Sequence, residues 1–224
     1  VILGGNSLLS KNPNLFLPNK WPTYFSKSKG CKVWDLNNID YIDMSLMGVG
    51  TNILGYCNSE VDNAVKKTIK KGNLTTLNCP EEVFLAEKLL SIHPWAEKVK
   101  FARTGGEANA IAIRIARAAS GRENVAFCGY HGWHDWYLAA NLKNRNNLNQ
   151  HLLPGLDPLG VPTHLKNTSF GFEYNNLDQL KKIVREKNIG VIKMEVSRNM
   201  RPNIKFLKKV RTLASKKNIV LIFD

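Results

Sequence analysis

The chain has 224 residues, with 32 Lys and Arg against 18 Asp and Glu for a formal charge of +14, which is enough for one large domain or a domain and a half. Hydrophobic residues at 43%, charged residues at 22% and aromatic residues at 9% exclude a disordered tail, a collagen-like rod and a coiled coil, and leave a soluble core-former. The longest apolar runs are strand-sized, the N-terminus shows no secretion-signal pattern, and Cys31, Cys57, Cys79 and Cys128 form no Cys-x-x-Cys pair; a cytoplasmic protein with reduced thiols and no membrane span, zinc ribbon or disulfide scaffold is expected.

Residues 1–30 are rich in Asn, Pro, Ser and Gly, as in Asn12-Pro13-Asn14 and Trp21-Pro22, and read as an extended arm with turns. From Gly30, the run Lys32-Val33-Trp34-Asp35-Leu36, a turn at Asn37-Asn38 and the run Tyr41-Ile42-Asp43-Met44 predict two short strands in a hairpin, a small antiparallel N-terminal element. A glycine-bearing loop over 48–56 precedes a helix capped by Asn58 or Ser59 and reaching about Lys71. The domain change is placed there, giving an arm and small-domain start over 1–57 and the first part of a large domain over 58–224. A second helix is expected over 80–91, with Val83, Leu85, Ala86, Leu89 and Leu90 inward. Strand and helix then alternate: strand 98–102, helix 107–119, strand 124–128, a long irregular segment 136–172, helix 177–187, strand 189–194, helix 202–217 with Pro202 in its first turn, and strand 219–223. Such alternation means an α/β fold, a mostly parallel sheet with helices on both faces. The chain starts at Val1 and stops at Asp224 directly after a buried-strand pattern, so it is expected to be a fragment of a longer protein, incomplete at the C-terminus.

In an open α/β sheet, ligands bind where the carboxyl ends of the strands meet helix N-termini. That edge carries Thr104-Gly105-Gly106-Glu107 after the first strand, Tyr130-His131-Gly132 after the second, Glu195 after the third and Asp224 after the fourth. The first of these fits a capping box, and its two glycines beside free helix amides suit a phosphate; a plain helix cap is the alternative. Tyr130 and His131, flanked by glycines, offer a flat face for stacking, against an aromatic core turn or a weakly supported metal site of His131, His134 and Asp135. Asp224 ends an apolar strand, so its half-buried carboxylate needs a partner such as a protonated ring nitrogen, or caps a following helix. Glu195 is a functional carboxylate or a partner for Arg198 or Arg201. A phosphate cradle, an aromatic stacker and a carboxylate for a ring nitrogen together describe a pyridoxal phosphate site, with no metal.

The segment 101–122, Phe-Ala-Arg-Thr-Gly-Gly-Glu-Ala-Asn-Ala and onward, with Gly129-Tyr130-His131-Gly132, resembles class III aminotransferases of the fold-type I superfamily, above all the glutamate-1-semialdehyde 2,1-aminomutase branch. Gly30-Cys-Lys-Val-Trp-Asp35, Leu54-Gly55, Gly160-Val-Pro162 and Tyr174-Asn175-Asn176-Leu177 extend the resemblance in order over nearly the whole chain. It implies pyridoxal 5'-phosphate as cofactor, with Thr104, Gly105 and Gly106 at the phosphate, Tyr130 stacked on the ring beside His131, Glu195 as the acidic residue after the third strand, and Asp224 on the pyridinium nitrogen; Asp224 and Tyr130 are its catalytic residues here. It also implies a small amino or keto substrate, a homodimer, and a Schiff-base lysine beyond Asp224, so the fragment alone should not turn over. Arg103 before the glycine loop, Glu195-Val196 in place of the usual Glu-Pro, and Trp133-His-Asp-Trp-Tyr137 depart from the family pattern and point to a side branch with another substrate. A non-catalytic relative of this fold is one rival reading. A basic nucleic-acid-binding domain is another, but the lysines fall in pairs such as Lys66-Lys67 and Lys208-Lys209 on helix faces, with no recognition motif.

Overall fold

Strand β1 (Phe25–Lys29) lies inside the stretch expected to be an extended arm. Its sequence, Phe-Ser-Lys-Ser-Lys, shows no apolar alternation; its order comes from antiparallel pairing with β2 (Lys32–Asp35). The predicted hairpin is present, because β2 pairs antiparallel with β3 (Asp40–Ile42). Its turn is held by Asp35, whose buried carboxylate accepts the amides of Asn37 and Ile39 at 2.8 and 3.0 Å, and by Asn38 at φ 62°, a conformation that Asn tolerates. The computed structural model describes residues 2, 5–45, 47–72, 74–149, 151, 157–197 and 201–224 and divides into two compact units, Val1–Lys88 and Leu89–Asp224.

Helix α1 (Ser59–Ile69) starts as expected: the Asn58 side chain accepts the amides of Glu60 and Val61, and acidic residues in the first turn face basic ones in the last. No residue of α2 (Pro80–Ile92) is buried, and Val83 and Leu85, expected inward, are exposed. At about 3.6 residues per turn, Val83, Ala86 and Leu90 share one side while Leu85 and Leu89 fall on the other, so the pattern never defined a single inner face.

The second unit is built on a four-stranded parallel sheet, in the spatial order Ser169–Gly171, Asn124–Cys128, Ile189–Met194, Val220–Phe223. In chain order it contains α3 (Gly105–Ser120), β4 (Asn124–Cys128), α4 (Asp135–Leu138), β5 (Ser169–Gly171), α5 (Leu177–Glu186), β6 (Ile189–Met194), α6 (Ile204–Lys216) and β7 (Val220–Phe223). Three expectations from the sequence do not hold in this unit. Residues 98–102 join no strand among the described residues, since an alternating segment such as Lys-Val-Lys-Phe-Ala becomes a strand only where a ladder partner lies beside it. The segment 136–172 is not all irregular, for it contains most of α4 and the edge strand β5, both too short for periodicity to reveal. Helix α6 begins at Ile204, not Pro202, because the Asn203 side chain accepts the Phe206 amide and takes the cap.

Beyond a bulge opposite Asn124, where Ile189 joins the second face, the two faces of the sheet follow alternation. Val125, Phe127 and Val191 meet Ile113 and Ala116 of α3 and the buried residues 136–140. Ala126, Cys128, Ile192 and Met194 meet Leu180 of α5 and Phe206, Val210 and Ala214 of α6. Complete burial of side chains such as Phe127 and Ile192 stabilises the unit by roughly 1.5–3 kcal/mol each, and it fixes where each strand delivers its last residues.

Candidate active site

Helix α3 opens with the predicted capping box. Thr104 Oγ1 accepts the Glu107 amide at 3.1 Å, and Glu107 Oε2 accepts the amides of Thr104 and Arg103 at 3.1 and 3.0 Å. The amides of Gly105 and Gly106 have no intrahelical acceptor in this first turn and carry the positive end of the helix dipole. The two glycines differ. A Cβ at Gly105 would meet nothing within 4 Å, whereas one at Gly106 would lie 2.7 Å from His134 Cε1 and 2.9 Å from its Nδ1.

Across from that turn, the chain leaves β4 through Gly129-Tyr130-His131-Gly132. A Cβ at Gly132 would lie 3.1 Å from Gly106 Cα, so the loop and the helix start meet backbone to backbone. Gly129 has φ 106°, and a Cβ there would lie 2.7 Å from the Glu195 carboxyl carbon. Glu195 Oε1 instead accepts the Tyr130 amide at 2.9 Å, so Glu195 shapes the turn that presents Tyr130. Of the alternative partners for Glu195, Arg198 lies outside the described residues. Tyr130 is 40% exposed and meets Tyr137 edge to face at 6.1 Å; Tyr137 is buried, and its hydroxyl donates to the Gly129 carbonyl at 2.8 Å.

His131 is buried among Phe127, Trp136 and Tyr137, nearly parallel to the Trp136 ring. Its Nδ1–H donates to Asp224 Oδ2 at 2.7 Å, and its Nε2 faces the Cys128 carbonyl at 3.1 Å. Through Asp224 it is tied to the edge of the sheet. Among the described residues no group of three or more His, Cys, Asp or Glu could hold a metal ion.

Asp224 gathers more partners than its position at a strand end suggests. Besides His131, its Oδ2 takes the Asn109 side-chain amide at 3.0 Å and the Lys193 ammonium at 3.1 Å, while the carboxylate side chain stays 35% exposed. The His131 N–H and the Lys193 cation hold this carboxyl well below the usual carboxylate range, against the opposing effect of burial. Burial pushes Lys193 down, while Asp224 and Glu195 pull it up. Asn109 also donates to the His131 carbonyl at 3.2 Å, so one α3 side chain ties the loop and the strand end together. Neither Asn109 nor Lys193 was evident as a site residue. The available signals were an Asn inside a helix one turn past a capping box, and a Lys in the otherwise apolar run 189–194.

Thr104, Gly106, Tyr130, His131, Glu195 and Asp224 are thus linked by hydrogen bonds and close contacts within the second unit. Its helix N-terminus offers N–H groups to an anion, and its ionised carboxylate offers an oxygen to a protonated nitrogen. The sequence profile of the aminotransferase class-III family matches residues 18–224. The chain belongs to the class III aminotransferase family. It is 33% identical over 223 residues to a 3-aminobutyryl-CoA aminotransferase of Cloacimonas acidaminovorans, covering 96% of this chain and 50% of that protein. It is 36% identical over 212 residues to a glutamate-1-semialdehyde 2,1-aminomutase of Sulfurisphaera tokodaii, covering 91% of this chain and 49% of that protein. The chain therefore spans about half the length of the curated relatives it matches. In fold it resembles an omega-transaminase from Sphaerobacter thermophilus, with a TM-score of 0.82 at 22% identity over 100% of this chain and 52% of that one. As a class III aminotransferase chain it has no helix, among the described residues, long and apolar enough to cross a membrane.

Proposed function

We propose that the full-length protein transfers amino groups between small amino and keto compounds with pyridoxal 5'-phosphate, as an aminotransferase or a glutamate-1-semialdehyde 2,1-aminomutase-like enzyme. The observation that carries this reading is the one-sided bonding of Asp224. Among the described residues its side-chain donors, from His131, Asn109 and Lys193, all fall on Oδ2, which leaves Oδ1 of the ionised carboxylate for a further N–H. A second observation supports it. Beside Gly106, His134 Nδ1 is buried with no hydrogen-bond partner among the described residues, and a buried polar atom of that kind calls for a partner such as a bound ligand or water. The open space at Gly105 and the donors of the first turn of α3 fit a phosphate; the Asp224 carboxylate fits the ring nitrogen.

When bound, the cofactor supplies a conjugated ring that accepts the electron pair of a substrate carbanion. The residues of this chain hold that ring and its charge. Gly105 and Gly106 would receive the phosphate on backbone N–H groups, with Thr104 and Glu107 fixing the turn. Tyr130 would lie against the ring, its backbone set by Glu195. Asp224 would accept the N–H of the ring nitrogen and keep its proton there, while His131 keeps Asp224 ionised and oriented. A cytoplasmic homodimer belongs to the same proposal, supported by the family resemblance.

Asp224→Asn in the full-length protein tests the assignment. A neutral amide still meets the ring in the ground state but cannot stabilise the positive nitrogen, so cofactor binding should persist while amino transfer slows. The expected cost is about 2–4 kcal/mol of barrier, roughly one and a half to three decades in single-turnover rate. A variant with bound cofactor and a rate within about threefold of the parent would leave Asp224 as a strand-end cap.

A further inference from the structure

Lys193 lies in the middle of the sheet, in a cross-strand row with Phe127 of β4 and Ile222 of β7. It is 1% exposed, on the face that is otherwise Val125, Phe127, Val191, Val220 and Ile222. A methionine would fill such a position at no electrostatic cost, whereas a buried ammonium is tolerated only where it is paired. Its partner is Asp224 Oδ2, the oxygen already bonded to His131 and Asn109, and not the oxygen left for a ligand. Among the described residues, the charged or titratable groups around it are Asp224 at the end of β7, Glu195 just past the end of its own strand, His131 from the loop after β4 and, packed on the same face, Tyr137 of α4. Helix α3, packed on the same face, contributes neutral Asn109 to the cluster.

We propose that Lys193 is a positioning residue that pins Asp224 through Oδ2 and, as a fixed cation behind the carboxylate, limits how strongly Asp224 holds a proton on the cofactor's ring nitrogen. The inference rests on the ring-nitrogen role proposed for Asp224 and deepens it. A carboxylate facing one cation is a strong anchor for a second; a carboxylate already neutralised from behind is a weaker one. The chain thereby grades the electron demand of the ring from a residue that never touches it. Two lysine-free routes to the same geometry exist, because His131 and Asn109 also bind Oδ2, so the electrostatic effect is separable from simple orientation.

The test uses full-length protein loaded with pyridoxal phosphate carrying a 15N label in the ring, and follows the ring-nitrogen NMR shift with pH. In Lys193→Met and Lys193→Gln the ring nitrogen should stay protonated to a pH higher by about one unit or more, the size expected when a cation a few ångströms behind a carboxylate is removed. Lys193→Arg, which keeps the charge, should restore the parent titration. Equal titrations in the parent and both neutral variants overturn the proposal. So does a neutral variant that fails to fold or to take up cofactor, since the cation is then a structural requirement. Asp224→Ala separates this from the underlying reading. If removing Asp224 leaves the ring-nitrogen signal unmoved, the role of Asp224 fails and Lys193 with it; if only the Lys193 variants leave it unmoved, Lys193 alone fails.

Discussion

Gly105 and Gly106 stand side by side at the start of α3, yet the structure separates their work. Gly106 is hemmed in by the His134 ring and by the Gly132 backbone, whereas Gly105 faces open space. Gly106→Val should therefore disturb both the fold and the anion site, lowering Tm as well as cofactor affinity, because a side chain there drives apart two segments that meet backbone to backbone. Gly105→Val should leave Tm within about 2–4 °C of the parent and still weaken pyridoxal phosphate binding, because its side chain enters the volume proposed for the phosphate. Thermal unfolding of the apo-protein and a cofactor titration separate the two effects. Unchanged affinity in Gly105→Val would place the phosphate elsewhere.

Among the elements, the first turn of α3 is where a cap's stability and the proposed phosphate binding coincide. Thr104→Ala removes the side-chain acceptor of the Glu107 amide, and loss of such a cap costs about 1 kcal/mol. Urea unfolding of the full-length protein should show that loss, together with weaker cofactor retention, because the donors that the cap aligns lose their fixed direction; stability equal to the parent's would contradict the capping role. This element was legible in the sequence because a capping box is a local code, with Thr104 and Glu107 three residues apart. The strands β4, β6 and β7 were legible for a similar reason, as apolar runs bounded by polar residues. Strand β5 and helix α4 were not, since three or four residues carry no period and their order comes from neighbours distant in sequence. Lys193 was missed because its meaning depends on Asp224 lying beside it on the next strand, and pairing across a sheet is not written in either strand alone.

At the scale of the molecule, the second unit brings the carboxyl ends of β4, β6 and β7 to the start of α3, the arrangement that an open parallel sheet offers a ligand. The first unit, with its antiparallel sheet of β1, β2 and β3, belongs to the same family match, since the matched residues 18–224 include all three strands. The proposed function requires that this edge hold pyridoxal phosphate and that an amine substrate react with it. The most direct measurement is the visible absorbance of the purified full-length protein before and after addition of an amine donor, with the released keto product quantified. A cofactor band that is lost on adding the donor, with keto product formed in step, is the expected result; a protein that takes up no pyridoxal phosphate, or whose cofactor band ignores every amine donor tried, would overturn the proposed function.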